Sequence, residues 1–177
     1  MVSTFRSLAA SPLLRGNLCM AARSKGLRVE LVQECSLTAM LKPPLAIGAG
    51  PTGTRIYYEV SEGEVTGERL RGKVVGGGDW ALIGPDGFVR VDVRLQIETH
   101  DAALLYVQYV GLFEVNEAVM TAIGTGGGTE FDDQYFYTNP RFETGDPRYA
   151  WVNTTFFVGE GRALPGQGVE YRVWRPA

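Results

Sequence analysis

The chain has 177 residues, 45% of them hydrophobic, and a formal net charge of -3. This length and composition suffice for one domain with a sizeable core and exclude wholesale disorder. The acidic balance argues against a nucleic-acid partner, which would require a basic surplus, and no apolar run is long enough to span a bilayer.

Residues 1–26 differ from the rest, because they contain arginine, lysine and serine and no acidic residue occurs before Glu30. This composition fits an organellar transit peptide, a disordered tail or a misassigned start with Met20 as the true one. We expect a cytoplasmic protein, or an organellar one if the segment is a transit peptide. Cys19 and Cys35 belong to no metal-ligand spacing, so we expect no metal site. We expect reduced thiols, with a single disulfide between the two as the alternative.

From Leu27 onward, hydrophobic and polar residues alternate with the period of a β-strand. The alternation covers residues 27–34, 54–60, 88–98 and 149–158, with glycine and proline turn signals between them. Many short strands with this punctuation predict an all-β domain over residues 27–177, either a sandwich or an antiparallel barrel. A hairpin turn is predicted at Gly84-Pro85-Asp86-Gly87.

Gly48, Gly50 and Gly53 fit the spacing G-x-G-x-x-G of a dinucleotide-binding loop. That loop needs a helix to begin inside it, so that the helix N-terminus meets the pyrophosphate. Here the residues after Gly53 read TRIYYEV, which is the composition of a strand. We therefore expect no dinucleotide and no other cofactor.

One segment breaks the strand pattern. FEVNEAVMTAIG, residues 113–124, has apolar residues at helical spacing and ends on Gly124. It predicts a short helix over about residues 114–123, followed by a flexible stretch from Thr125 to Thr129.

Four stretches together resemble a known family: GPTGTR, LRGKVVGGGDWALIGPDG, YFYTNPRFETGDPRYAWVN and GVEYRV. They resemble the small bacterial and fungal proteins of the domain of unknown function 3237 family, over roughly residues 30–175. The resemblance implies a single compact antiparallel β-barrel, often dimeric, and no particular reaction. The chain departs from the family at Asp101-Ala102-Ala103, where Asp-Gly-Ala is usual, and over Glu114–Gln134.

The central strand has two chemically distinct faces. One face holds Val89, Val91, Val93, Leu95 and Ile97, and the other holds Arg90, Asp92, Arg94, Gln96 and Glu98. Either the valines form the core and the charges face water, or the charged face lines a polar cavity. In the second case Asp92, Arg94 and Glu98 are ligand-binding candidates.

The strongest catalytic candidates are Tyr137, Arg141 and Glu143, which share strand parity with Tyr135. Arginine offers a rigid fork for carboxylate or enolate oxygens, tyrosine can donate to an oxyanion, and a glutamate in an apolar pocket can transfer protons. The alternative is an Arg–Glu surface pair beside core aromatics.

Further ligand-binding candidates are aromatic residues and one amide: Trp80, Tyr106, Tyr149, Trp151 and Asn153. An apolar wall with a few polar anchors is typical of a pocket, although buried core aromatics would show the same pattern. His100, the only histidine, is predicted to lie in an exposed turn.

Two functions remain open. The first is a small-molecule-binding barrel acting as a cofactor-free isomerase or cyclase on a small aromatic or polyketide-like compound. The second is a non-catalytic ligand-binding or structural barrel, and a homodimer is possible in either case.

Overall fold

The computed structural model describes residues 29–177, which form ten strands and one α-helix with short 3₁₀ helices. The strands are β1 (Leu31–Leu41), β2 (Leu45–Gly50), β3 (Gly53–Gly67), β4 (Gly72–Ile83), β5 (Phe88–Thr99), β6 (Leu104–Glu114), β7 (Phe136–Thr138), β8 (Arg141–Glu143), β9 (Val158–Leu164) and β10 (Gly168–Pro176). The helix α1 spans Glu117–Thr125. None of the helices within residues 29–177 is long and apolar enough to cross a membrane.

The strands close into an antiparallel barrel. The sheet runs in the order β1-β10-β9-β7-β6-β5-β4-β3, and pairing between β1 and β3 joins its two edges. β7 and β8 both pair with β6 and share one position, which leaves an eight-stranded barrel with β2 as an added edge strand. The predicted all-β barrel is therefore confirmed.

The barrel interior is filled from the apolar faces that the alternation predicted. On β5, Val91, Val93, Leu95 and Ile97 are all at most 5% exposed. Arg90, Asp92, Arg94 and Glu98 point outward from the same strand, so the valines form the core and the charged face does not line the interior. Apolar burial of this kind supplies most of the stability of such a domain.

The two ends of the barrel are built differently. At the closed end, Leu70, Tyr149, Val152 and Phe157 plug the barrel and are almost fully buried. At the other end, Leu41, Val89, Phe113 and Val169 lie near the ends of their strands and are half-buried against the core. The helix α1 follows β6 at this end, and its Val119 and Ala122 are buried. β3 runs past the end of β1 here and pairs with β2 instead.

The glycines at 48, 50 and 53 lie in the β2–β3 hairpin, where Gly50 pairs with Gly53. The strand predicted after Gly53 is therefore present. The hairpin turn at residues 84–87 is also confirmed, since the amide of Gly84 donates to the carbonyl of Phe88 at 2.9 Å.

Two predicted elements need correction. The helix begins three residues later than expected, because Glu114 completes β6 and Asn116 forms the N-cap by accepting from the Val119 amide at 3.1 Å. The strand predicted over residues 149–158 is wrong, because Pro147–Thr154 form a 3₁₀ helix. Asp146 caps that helix by accepting from the Arg148 amide at 3.0 Å, and Pro147 provides the helical φ at its start.

Two further sequence predictions concern the amino-terminal segment and the cysteines. The predictions for residues 1–26 and for Cys19 lie outside the described residues. Cys35 is a free, buried thiol in the core.

Candidate functional site

A β-bulge in β4 turns an aspartate into the barrel. The β4–β5 register shifts between Val74 and Gly76. Because side chains alternate, one extra residue moves every later side chain to the opposite face. Val74 is buried, and after the bulge Asp79 and Ala81 point inward while Trp80 points outward. Without the bulge, Trp80 would enter the core and Asp79 would face water.

The barrel wall is interrupted beside Asp79. Pairing between β4 and β5 stops after Asp79–Val93 and resumes, in the same register, at Leu82–Arg90. Side chains satisfy backbone groups in this gap. The Asp92 amide donates to Asp79 Oδ1 at 2.9 Å, and Arg55 Nη1 donates to the Trp80 carbonyl at 2.6 Å. Replacement of backbone partners by side chains here places a carboxyl group and a guanidinium group at the wall.

Burial raises the pKa of Asp79 to about 6, and the nearby Asp92 charge acts in the same direction. The hydrogen bond from the Asp92 amide and the charge of Arg55 lower the pKa but do not compensate for burial. A carboxyl with this pKa exchanges a proton near neutral pH, which suits a general acid or base. It is the most perturbed carboxyl in the barrel interior within residues 29–177.

Three tyrosines surround this carboxyl on the interior face. Tyr58 lies directly opposite Asp79 on β3, and its pKa is raised by burial and by the Asp79 charge. The rings of Tyr109 and Tyr171 pack edge to face with centroids 5.3 Å apart, and burial raises the pKa of both. All three hydroxyls therefore stay protonated at neutral pH and can donate hydrogen bonds.

The predicted catalytic residues lie on the outer surface. Tyr137, Arg141 and Glu143 are all exposed, and the Tyr137 hydroxyl donates to Glu160 at 3.5 Å. Their strands are only three residues long, and the intervening Phe142 takes the interior position. Because Phe142 faces inward, Tyr137, Arg141 and Glu143 face outward, and the expectation that they line an interior pocket is corrected.

Most of the other candidates form a patch with them on the outer face of β4, β5, β6 and β8. Arg94 pairs with Asp92 at 2.7 Å and lies 5.6 Å from the Trp80 ring. The register places Gln108 between Arg94 and Arg141, and Tyr106 beside Glu143. The structure thus brings these side chains together, but outside the barrel. Glu98 lies on the same outer face, opposite Lys73.

Tyr149, Trp151 and Asn153 belong to the closed end, and their contacts there are structural. The Tyr149 hydroxyl donates to Asp101 at 2.8 Å, and Asn153 exchanges two hydrogen bonds of 2.9 Å with the Thr144 backbone. The Arg69 guanidinium lies 3.8 Å from the Trp151 ring centre. His100 is exposed in the turn between β5 and β6, as the sequence predicted.

Sequence reasoning missed Asp79 and Tyr58 as site residues. If Trp80 is assumed to face the pocket, strict alternation of side chains places Asp79 on the opposite face. The signal lay in Gly76-Gly77-Gly78, since a glycine run inside a strand marks a bulge or a close backbone approach. At Gly77, φ is 133° and an added Cβ would lie 2.2 Å from the Arg94 carbonyl oxygen, so the glycine is required there.

The family model described as protein of unknown function (DUF3237) matches residues 29–176. The chain belongs to this family. A UPF0311 protein of Rhodopseudomonas palustris is 33% identical over 125 residues, which cover 70% of this chain and 82% of that relative. Its crystal structure, of a conserved protein of unknown function, has a TM-score of 0.77 at 30% identity, covering 85% of this chain and 99% of that one.

Two further crystal structures show the same fold. A β-barrel like protein from Acinetobacter baumannii has a TM-score of 0.71 at 26% identity, covering 85% of this chain and 97% of that one. A structure described as an enzyme from Penicillium herquei has a TM-score of 0.60 at 20% identity, covering 84% of this chain and 95% of that one. The second is a likeness of fold alone.

Proposed function

We propose that this DUF3237 barrel binds a small molecule at the gap between β4 and β5 and acts on it as a cofactor-free isomerase or cyclase. The observation that carries the proposal is Asp79, a carboxyl turned inward by a bulge and held at an interrupted wall. A protein stabilised only for folding has no need of a costly, partly buried carboxyl without a cationic hydrogen-bond partner, because an amide would satisfy the Asp92 amide equally well.

The proposed chemistry needs only proton transfer. Asp79 as carboxylate removes a proton from one atom of the substrate and returns it to another, so atoms and oxidation state balance in an isomerisation or a ring closure. Tyr58, opposite Asp79, donates a hydrogen bond to the oxygen on which negative charge develops. The apolar side chains beside the gap, Leu82, Val110 and Leu112, fit a small aromatic or polyketide-like compound.

The test is isomer formation in deuterated water. Wild-type protein is incubated with a small-molecule extract of its source cells, and the mixture is searched for a compound that changes retention time without changing elemental composition. We expect the product to carry deuterium bound to the carbon that receives the transferred proton. Asp79→Asn abolishes the conversion, and Tyr58→Phe slows it. Glu143→Gln, an exposed matched control on the outer face, converts as wild type. Conversion by Asp79→Asn at the wild-type rate contradicts the proposal.

A non-catalytic barrel, monomeric or homodimeric, is the second candidate, and one observation favours it. The barrel core encloses a cavity of only about 10 Å³ beside Tyr109, Thr138 and Tyr171, which is the size of one water. In that case a ligand or a second copy binds the outer patch formed by Trp80, Asp92, Arg94, Tyr106, Arg141 and Glu143. A native mass spectrum of the purified protein separates these outcomes, because it shows a retained small molecule or a dimer directly.

A further inference from the structure

A groove of about 420 Å³ runs along the outer face of the barrel where the β4–β5 pairing is interrupted. Its main side chains come from four neighbouring strands: Arg55, Leu82, Arg90, Asp92, Val110 and Leu112. The interior residue Val91 also lines it, which places the groove at the gap in the wall.

The register explains how the groove acquires an apolar floor. Arg55, Leu82, Arg90 and Leu112 are consecutive partners across β3, β4, β5 and β6. Val110 is 54% exposed and Leu112 is 40% exposed, which is unusual for aliphatic side chains in the middle of a strand. A concave surface that combines exposed aliphatic groups with a few charges is typical of a ligand site.

The charges in the groove are not balanced. Arg90 is held by Asp86 in two contacts of 3.1 and 2.6 Å, and Asp92 is held by Arg94 at 2.7 Å. Among residues 29–177, Arg55 has no carboxylate within ion-pair distance, and its one side-chain hydrogen bond is to the neutral Trp80 carbonyl. A guanidinium group retains further donors after one such bond, and its planar fork matches a carboxylate.

The carboxyl of Asp79 adjoins the groove. Asp79 Oδ1 accepts from the amide of Asp92, which lines the groove, and Arg55 is close enough for its charge to act on Asp79. A molecule whose anionic group binds Arg55 therefore lies beside the proposed acid–base residue.

We propose that this groove binds a small amphipathic organic anion, with its carboxylate or equivalent group on Arg55 and its apolar body on Leu82, Val110 and Leu112. The inference deepens the proposed function and rests on it for the role of this anion as substrate. Binding itself depends only on the groove.

The experiment uses the fluorescent anion 1-anilinonaphthalene-8-sulfonate and its uncharged analogue N-phenyl-1-naphthylamine, titrated into the folded full chain. We expect saturable binding of the anion. Arg55→Gln weakens it about tenfold or more, as loss of a charge-assisted hydrogen bond predicts, and changes binding of the neutral probe by no more than about twofold. Leu112→Glu weakens binding of both probes. Arg71→Gln, an exposed arginine at the closed end, changes neither affinity beyond about twofold and serves as the matched control.

Three outcomes overturn the proposal: no saturable binding of the anion to wild type, equal binding by Arg55→Gln, or equal weakening by Arg71→Gln. Arg55→Lys covers the case in which Arg55→Gln fails to fold, since it keeps the charge but removes the planar fork, so it should weaken binding of the anion by a smaller factor and leave binding of the neutral probe unchanged. Failure of the proposed function can be distinguished from failure of anion binding in the groove. Asp79→Asn should bind the anion at least as tightly as wild type, because a neighbouring negative charge is removed, while losing isomer formation. Persistence of isomer formation in that variant removes the function but leaves the groove.

Discussion

The barrel holds two desolvated carboxyl groups, Glu34 at the closed end and Asp79 in the wall, under opposite electrostatic conditions. At the closed end Glu34, 4% exposed, accepts from Arg69 Nε at 2.9 Å and from Arg175 Nε at 2.8 Å. Burial raises its pKa, but these bonds and charges outweigh burial, so the pKa is lowered. Burial instead raises the pKa of Asp79 to about 6, because no cationic side chain is hydrogen-bonded to it. The closed end is built for stability, whereas the wall beside Asp79 keeps a destabilised charge, as functional sites often do.

The largest expected effect is at the closed end. Phe157, 1% exposed, packs edge to face on Phe142 with centroids 4.9 Å apart. Phe157→Ala should lower the free energy of unfolding by about 4 kcal/mol, since it removes buried area and leaves a cavity. The neighbouring Phe156 is 62% exposed, so Phe156→Ala should change it by less than about 0.5 kcal/mol. Urea denaturation measures both. Similar losses in the two variants would show that the closed end is not plugged as described.

The next effect concerns the charge of Glu34. Glu34→Gln should lower the free energy of unfolding by about 3 kcal/mol at pH 7, somewhat less than in wholly buried pairs because Arg69 is 45% exposed. Because the folded-state pKa is depressed, the ionised carboxylate stabilises the fold above the unfolded pKa of about 4.3. This contribution is lost as the pH falls through the folded-state pKa. The difference between wild type and variant should therefore shrink as pH falls below about 4. A difference independent of pH would refute the ion-pair explanation.

The sequence predicts the apolar core around which both regions are built, but it does not predict that Asp79 points inward at the wall. Alternation on β5 predicts correctly which face can form a core, because the period of a strand is two. It fails on β4, where one extra residue before Gly76 reverses the two faces, and only the run Gly76-Gly77-Gly78 signals the bulge in the sequence. It also fails at Tyr149–Thr154, where Asp146 and Pro147 start a 3₁₀ helix although the residue types suit a strand. On β4 this parity error selected Trp80, which points outward, instead of Asp79.

The third-largest expected effect is an increase in stability, at Asp79. Asp79→Asn should raise the free energy of unfolding by about 2 kcal/mol at pH 8. A folded-state pKa of about 6, against about 3.9 in the unfolded chain, means that ionisation destabilises the fold by at most about 3 kcal/mol. The protonated carboxyl of Asp79 favours the folded state, so its contribution is complete below about pH 4 and is lost as the pH rises through about 6. The stabilities of the variant and of wild type should therefore converge near about pH 4. Thermal melts at both pH values measure this. A less stable variant at pH 8 would mean that the carboxylate is a structural group.

The smallest effect lies in the turn between β5 and β6 at the closed end, where Ala102 has φ 64°. An L-residue with a Cβ pays about 1 kcal/mol for this left-handed conformation, and glycine does not. Ala102→Gly should therefore raise the free energy of unfolding by about 0.5 kcal/mol, because the added freedom of the unfolded chain offsets part of the gain. The next residue gives a matched control of opposite sign. Ala103 is 2% exposed with ordinary φ, so Ala103→Gly should lose about 1 kcal/mol or more. Chemical denaturation resolves the two variants, and losses in both would show that Ala102 is not strained.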